Sequence, residues 1–166
     1  HTRYWRDWSS DVCSSDLQRV EMITMAIKDN PHFELSMMEL ERDGITYTAD
    51  TLTILTEKNK DTEYYFIVGA DSLMQLHTWK RPEIICSLCT LAAANRDNMD
   101  KDELGKQIKM LHNTYNAKIK LIDMPAVRIS SSDIRSKAAA GKSIKYYVTD
   151  AVEKYIINNK LYKLSD

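Results

Sequence analysis

Tyr64-Tyr65-Phe66-Ile67-Val68-Gly69-Ala70-Asp71-Ser72-Leu73 is the stretch on which the fold turns. Its apolar and aromatic run shows no alternation, which reads as a strand buried on both faces, as in a parallel sheet. Gly69 ends the run, and its missing side chain permits close approach of a ligand backbone or ring. Asp71 follows at the start of a helix. There its carboxylate could accept hydrogen bonds from sugar hydroxyls, or simply cap the helix.

Downstream, Leu73, Leu76 and His77 suggest a short helix ending near Trp79, and Pro82 suits the first turn of another that runs towards Leu88. Thr90 to Ala94 reads as a second buried strand. Leu104, Ile108, Leu111 and Tyr115 are spaced by four, three and four, which predicts an amphipathic helix over 102–115. Lys118 to Ile122 alternates as a strand ended by Pro125. Two helices close the chain, Ser132 to Ala140, stopped by Gly141, and Thr149 or Asp150 to Asn158.

Upstream, Thr48 reads as the N-cap of a helix to Lys58 that turns Leu52 and Leu55 inward. Asp43-Gly44 marks a turn, and Phe33, Leu35, Met37 and Leu40 predict a half-buried strand. Val20, Ile23, Met25, Ala26 and Ile27 share a helical face that Asn30-Pro31 terminates. Strands that alternate with helices predict an α/β fold, a parallel sheet with helices on both faces. Ligands of such sheets bind beyond the carboxyl ends of the strands.

The 166 residues include 23 Lys+Arg and 24 Asp+Glu, and 43% are hydrophobic. That length suits one domain. The near-zero charge disfavours a nucleic-acid partner, whose affinity needs a basic surface. No apolar run approaches the ~20 residues of a membrane span. Three cysteines make no paired framework and no signal peptide is evident, so the expected location is the cytoplasm. Residues 1–17 stand apart. They hold Trp5 and Trp8 without any helical or strand period, and 11–17 can be back-translated into the end of a sequencing-library adapter. A non-native segment over 1–17 and a domain over 18–166 are therefore expected.

Two further constellations could carry chemistry. Ile129-Ser130-Ser131-Ser132-Asp133-Ile134-Arg135 offers hydroxyls, a helix N-terminus and a guanidinium to an anion, although serines at helix starts are often only caps. Trp79 could stack on a ring, with the Tyr47-Thr48 helix start receiving a carboxylate, or could be a core or rim aromatic. Cys86-Ser87-Leu88-Cys89 reads as buried structural thiols, and His32, His77 and His112 lack metal-ligand spacing. Gly141-Lys142-Ser143 lacks the rest of a P-loop and reads as a helix stop.

Arg19-Val20-Glu21-Met22, Tyr47-Thr48-Ala49-Asp50-Thr51-Leu52, Ile67 to Asp71, Trp79, Ile129 to Arg135, and Tyr155-Ile156 with Leu161-Tyr162 occur in a specific order. In these the chain resembles the bacterial nicotinate-nucleotide adenylyltransferases from about Gln18 to Tyr162. The resemblance implies a Rossmann-like nucleotidyltransferase fold and adenylyl transfer from ATP to nicotinate mononucleotide, with Mg²⁺ accompanying the ATP. It implies that Gly69 and Asp71 meet the ribose, Arg96 the adenine, and Ser131, Ser132 and Arg135 the phosphates. It further implies that Trp79 stacks on the pyridine ring and that the backbone at Tyr47 and Thr48 receives its carboxylate.

The chain departs from that family in one place. The family's first strand and its H-x-G-H motif, whose histidines stabilise the transferring phosphate, have no match among the 166 residues. A domain lacking its first strand, with no catalytic residue of its own and little activity, is the resulting expectation. Two alternatives remain, a non-catalytic nucleotide-binding domain and an adenylyltransferase for another acceptor such as phosphopantetheine. Homo-oligomerisation is left open.

Overall fold

The computed structural model describes residues 15–95, 101–124 and 129–163. They fall into two compact units, one built on residues 43 to 127 and one joining residues up to 42 with those from 128 onward.

The first unit holds α2 (Thr48–Lys58), β1 (Tyr65–Gly69), α3 (Ala70–Met74), α4 (Pro82–Leu88), β2 (Thr90–Asn95), α5 (Lys101–Tyr115) and β3 (Lys118–Asp123). The strands form a parallel sheet in the order β1-β2-β3, with Tyr65 opposite Thr90 and Thr90 opposite Lys118. Helices flank it in Rossmann-like fashion. Phe66, Val68, Leu91, Ala93 and Ile119 join a core with Leu52, Leu73, Leu76, Ile85, Leu104 and Leu111. Gln107, buried in α5, donates through Nε2 to the carbonyls of Leu73 (3.2 Å) and Met74 (3.1 Å). It thereby satisfies orphan acceptors at the end of α3 and pins that short helix to α5.

β1 departs from the expectation of burial on both faces. Tyr65 and Ile67 are exposed, Ile67 by 72%, whereas Thr90 and Ala92, beside them on the same face, are buried. The reason is position: β2 is shielded by a strand on each side, and β1 is an edge of the described sheet.

The second unit contains α1 (Asp16–Ile27), α6 (Ser131–Ala139) and α7 (Asp150–Asn158) around Ile144, Val152, Ile156 and Leu161. α1 begins two residues before Gln18, because Ser15 and Gln18 form a reciprocal capping box. Tyr155 of α7 donates to Glu21 of α1, and this hydrogen bond raises the Tyr155 pKa. Gly141 ends α6 as expected. Its φ of 68°, with Gly141 N–H donating to Ala138 and Lys142 N–H to Lys137, makes a Schellman stop. The strand expected over Phe33–Leu40 does not form. Those residues run through turns and irregular backbone with Phe33 and Leu40 exposed, since no described strand lies alongside to pair with them.

Candidate functional site

Gly69 closes β1 beside Ala94 and serves as the N-cap residue of α3. Its φ of −67° suits any residue, and a Cβ added there would meet nothing within 4 Å. Neither backbone strain nor packing within the chain therefore demands a glycine at this position. Asp71 sits exposed in the first turn of α3, so the cap position belongs to Gly69 and not to the carboxylate.

Tyr47, and not Thr48, occupies the N-cap of α2; Thr48 is the first helical residue. The displacement follows from Tyr47's extended backbone, φ −115° and ψ 143°. No side chain caps this terminus; the Asp50 N–H turns back to the Tyr47 carbonyl (2.9 Å), which leaves those of Thr48 and Ala49 outside the helical ladder. Two contacts tie it to the segment after Trp79. The Lys80 ammonium lies 4.0 Å from the centroid of the Tyr47 ring, and the Arg81 guanidinium pairs with Asp50. Trp79 is half-buried at the rim of the core, in a T-shaped pair with Phe66 at 6.1 Å and 73°. The ring and the uncapped helix start are thus held on one side of this unit.

Ser131, Ser132 and Arg135 lie in the second unit, in the first turns of α6. Ser130 caps that helix, its hydroxyl accepting from the Asp133 N–H (3.1 Å) and donating to the Asp133 carboxylate (2.6 Å). The Ser132 hydroxyl approaches the Ser130 hydroxyl at 2.9 Å, and Ser131 is exposed. A cavity of about 370 Å³ opens beside α6, lined by Asp133, Ser136, Lys137, Lys142 and Tyr147 among others, and none of the three expected phosphate ligands borders it. Arg96 lies outside the described residues.

Cys86 and Cys89 are free and buried. Burial, reinforced by the charge of Glu83, pushes the Cys86 thiol up to about 11. Burial and then Cys86 push Cys89 to about 11 against a lowering backbone contact from Phe66. Thiols held so firmly neutral suit a packing role. Among the described residues, no group of three or more His, Cys, Asp or Glu is placed to hold a metal ion, and no helix is long and apolar enough to cross a membrane.

Sequence reading did not single out the side chains of Asp50, Lys80 and Arg81. The signal was present in the Lys-Arg pair directly after Trp79 and in the aspartate within Tyr-Thr-Ala-Asp-Thr-Leu.

Residues 12–137 match the cytidylyltransferase-like family. A "Probable nicotinate-nucleotide adenylyltransferase" of Lachnoclostridium phytofermentans is 47% identical over 144 residues, 87% of this chain and 72% of that protein. A relative of the same description from Desulfitobacterium hafniense strain Y51 is 38% identical over 88% of this chain and 70% of its own length. Among solved structures, the Plasmodium falciparum nicotinic acid mononucleotide adenylyltransferase complexed with NaAD shares the fold, with a TM-score of 0.70 at 22% identity. That likeness covers 95% of this chain and 78% of the Plasmodium chain. With its parallel sheet, its glycine-ended strand and these relatives, the chain belongs to the nicotinate-nucleotide adenylyltransferases of the cytidylyltransferase-like family.

Proposed function

We propose that the substrate site of this chain is built for transfer of the adenylyl group of ATP to nicotinate mononucleotide, the reaction that forms deamido-NAD and releases pyrophosphate. The acceptor phosphate attacks the α-phosphorus of ATP, and the bond to the β-phosphate oxygen breaks. Gly69 and Asp71 serve the nucleotide ribose, and Arg96 the adenine. Ser131, Ser132 and Arg135 serve the ATP phosphates, with the α6 N-terminus adding a favourable field. Trp79 stacks on the pyridine ring, and the backbone at Tyr47 and Thr48 receives the carboxylate.

One observation carries this reading: the uncapped start of α2 is tied to the segment bearing Trp79. A flat aromatic residue on a segment tied to a helix start without a side-chain cap suits an aromatic acid. It suits phosphopantetheine poorly, because that acceptor has no ring to stack.

Nucleotidyltransferases of this family use a divalent metal. No cluster among the described side chains fits a resident ion. We therefore assign Mg²⁺ to the ATP phosphates, as part of the substrate. The buried free thiols favour a reducing compartment, the cytoplasm.

Such enzymes work by positioning and electrostatics, so the phosphate-stabilising donors of H-x-G-H matter greatly; one lost donor of this kind costs about 10²–10³ in rate. The 166-residue chain contains no such motif. It is expected to bind nicotinate mononucleotide in calorimetry yet release almost no pyrophosphate from Mg-ATP. Turnover close to that of an intact homologue would show that the catalytic groups lie elsewhere. Failure to bind the mononucleotide would overturn the acceptor site.

A further inference from the structure

Arg81 is held in the left-handed region at φ 54°, immediately before Pro82. For a residue with a Cβ this conformation is strained. Its guanidinium pairs with Asp50, but both side chains are substantially exposed, 43% and 37%. An exposed pair contributes little to stability, because solvent screens it and ordering the two side chains opposes it. The pair therefore does not offset its own backbone strain, and stability alone does not account for it.

The electrostatics of the α2 terminus supply a reason. Asp50 stands in the first turn of α2, where a carboxylate stabilises the helix but repels any second anion brought to the same N–H groups. Arg81 neutralises that charge from outside the helix. Lys80, held on the Tyr47 ring, leaves a further positive charge beside the helix start.

We propose that Arg81, by neutralising Asp50, preserves the preference of the acceptor site for a carboxylate over the isosteric neutral amide, a preference that an unpaired Asp50 would erode. The inference rests on the reading of Tyr47, Thr48 and Trp79 as the acceptor site. Arg81 acts here as a positioning and charge-balancing residue, and touches neither the reacting phosphates nor the ring.

The test is calorimetric titration of the full chain with nicotinate mononucleotide and with nicotinamide mononucleotide, reading the ratio of the two Kd values. Arg81→Gln should lower the preference for the acid by roughly two- to fivefold, the scale of a charge at a helix terminus. It should change amide binding less than twofold. Asp50→Asn should move the ratio the other way, and the double variant should return it close to that of the unaltered chain. The effects should shrink at high salt, since the pair is exposed.

A purely mechanical brace would weaken both mononucleotides alike in either single variant, with no recovery in the double; that result overturns the proposal. If Arg81→Gln fails to fold, Asp50→Asn still decides, because a brace predicts loss of both ligands where charge balance predicts a gain for the acid. An unaltered chain that binds neither mononucleotide overturns the acceptor site and this inference together. Binding with an unchanged ratio overturns this inference alone.

Discussion

Trp79 is both a packing residue and the proposed stacking surface, and its geometry allows both. The ring lies T-shaped to Phe66, and the side chain as a whole is only half-buried. Stacking is blind to whether the ring carries an acid or an amide, because both offer the same π face. Trp79→Ala should weaken both mononucleotides together, by roughly 1–3 kcal/mol if the contact resembles base–aromatic stacking. Calorimetry with each ligand checks this, and a loss confined to the acid would assign Trp79 a different role. Cys86 and Cys89 make an independent residue-scale prediction. Their thiols are raised from 9.0 to about 11, so the fold favours the neutral form. That contribution is fully present below pH 9 and is lost as the pH rises through about 11. Thermal melts should therefore fall over this alkaline window. At pH 8, iodoacetamide should label these two positions slowly until denaturant is added, as peptide mapping would show.

α2 presents a sharper test than its sequence suggested. With Tyr47 as the N-cap, Thr48 is the first helical residue, a position where proline is well accommodated. Tyr47 already has the extended backbone that a following proline demands. Thr48→Pro should thus delete one N–H donor while leaving α2 folded, with circular dichroism close to that of the unaltered chain. The expected result is a narrowed gap between acid and amide binding, with amide binding nearly unchanged. Equal loss of both would mean that the N–H of Thr48 faces no carboxylate. α6 offers a contrast, since Ser130 already engages the Asp133 N–H. An anion at α6 therefore depends more on Ser131, Ser132 and the Arg135 side chain than on a full set of free N–H groups.

For the molecule as a whole, the boundary of the folded chain can be placed by stability. The sequence suggested a change of character after Leu17, whereas α1 starts at Asp16 with Ser15 and Gln18 capping each other. A chain begun at Ser15 should exceed one begun at Gln18 by about 0.5–2 kcal/mol, the usual worth of an N-cap. Thermal or denaturant melts of the two chains would read that difference. No difference would mean that α1 gains nothing from its cap.

The sequence by itself determined the order of β1, α4, β2, α5 and β3 and the family. Runs such as Tyr64–Val68 and the four-three-four spacing of α5 report backbone preferences over a few residues. Pro82 and Gly141 marked a helix start and a helix stop through their own φ restrictions, for the same local reason. The proposed site residues stand in short motifs, but the tertiary partners of those motifs were not legible. Asp50 and Arg81 stand 31 positions apart, and nothing in either neighbourhood announces the other. Only packing of α2 beside α4 brings them together. The open face of β1 and the absent strand over Phe33–Leu40 were likewise decided by tertiary structure. An apolar run fixes a tendency to extend, but burial and strand formation depend on whether a neighbouring strand is there to accept the hydrogen bonds and cover the side chains.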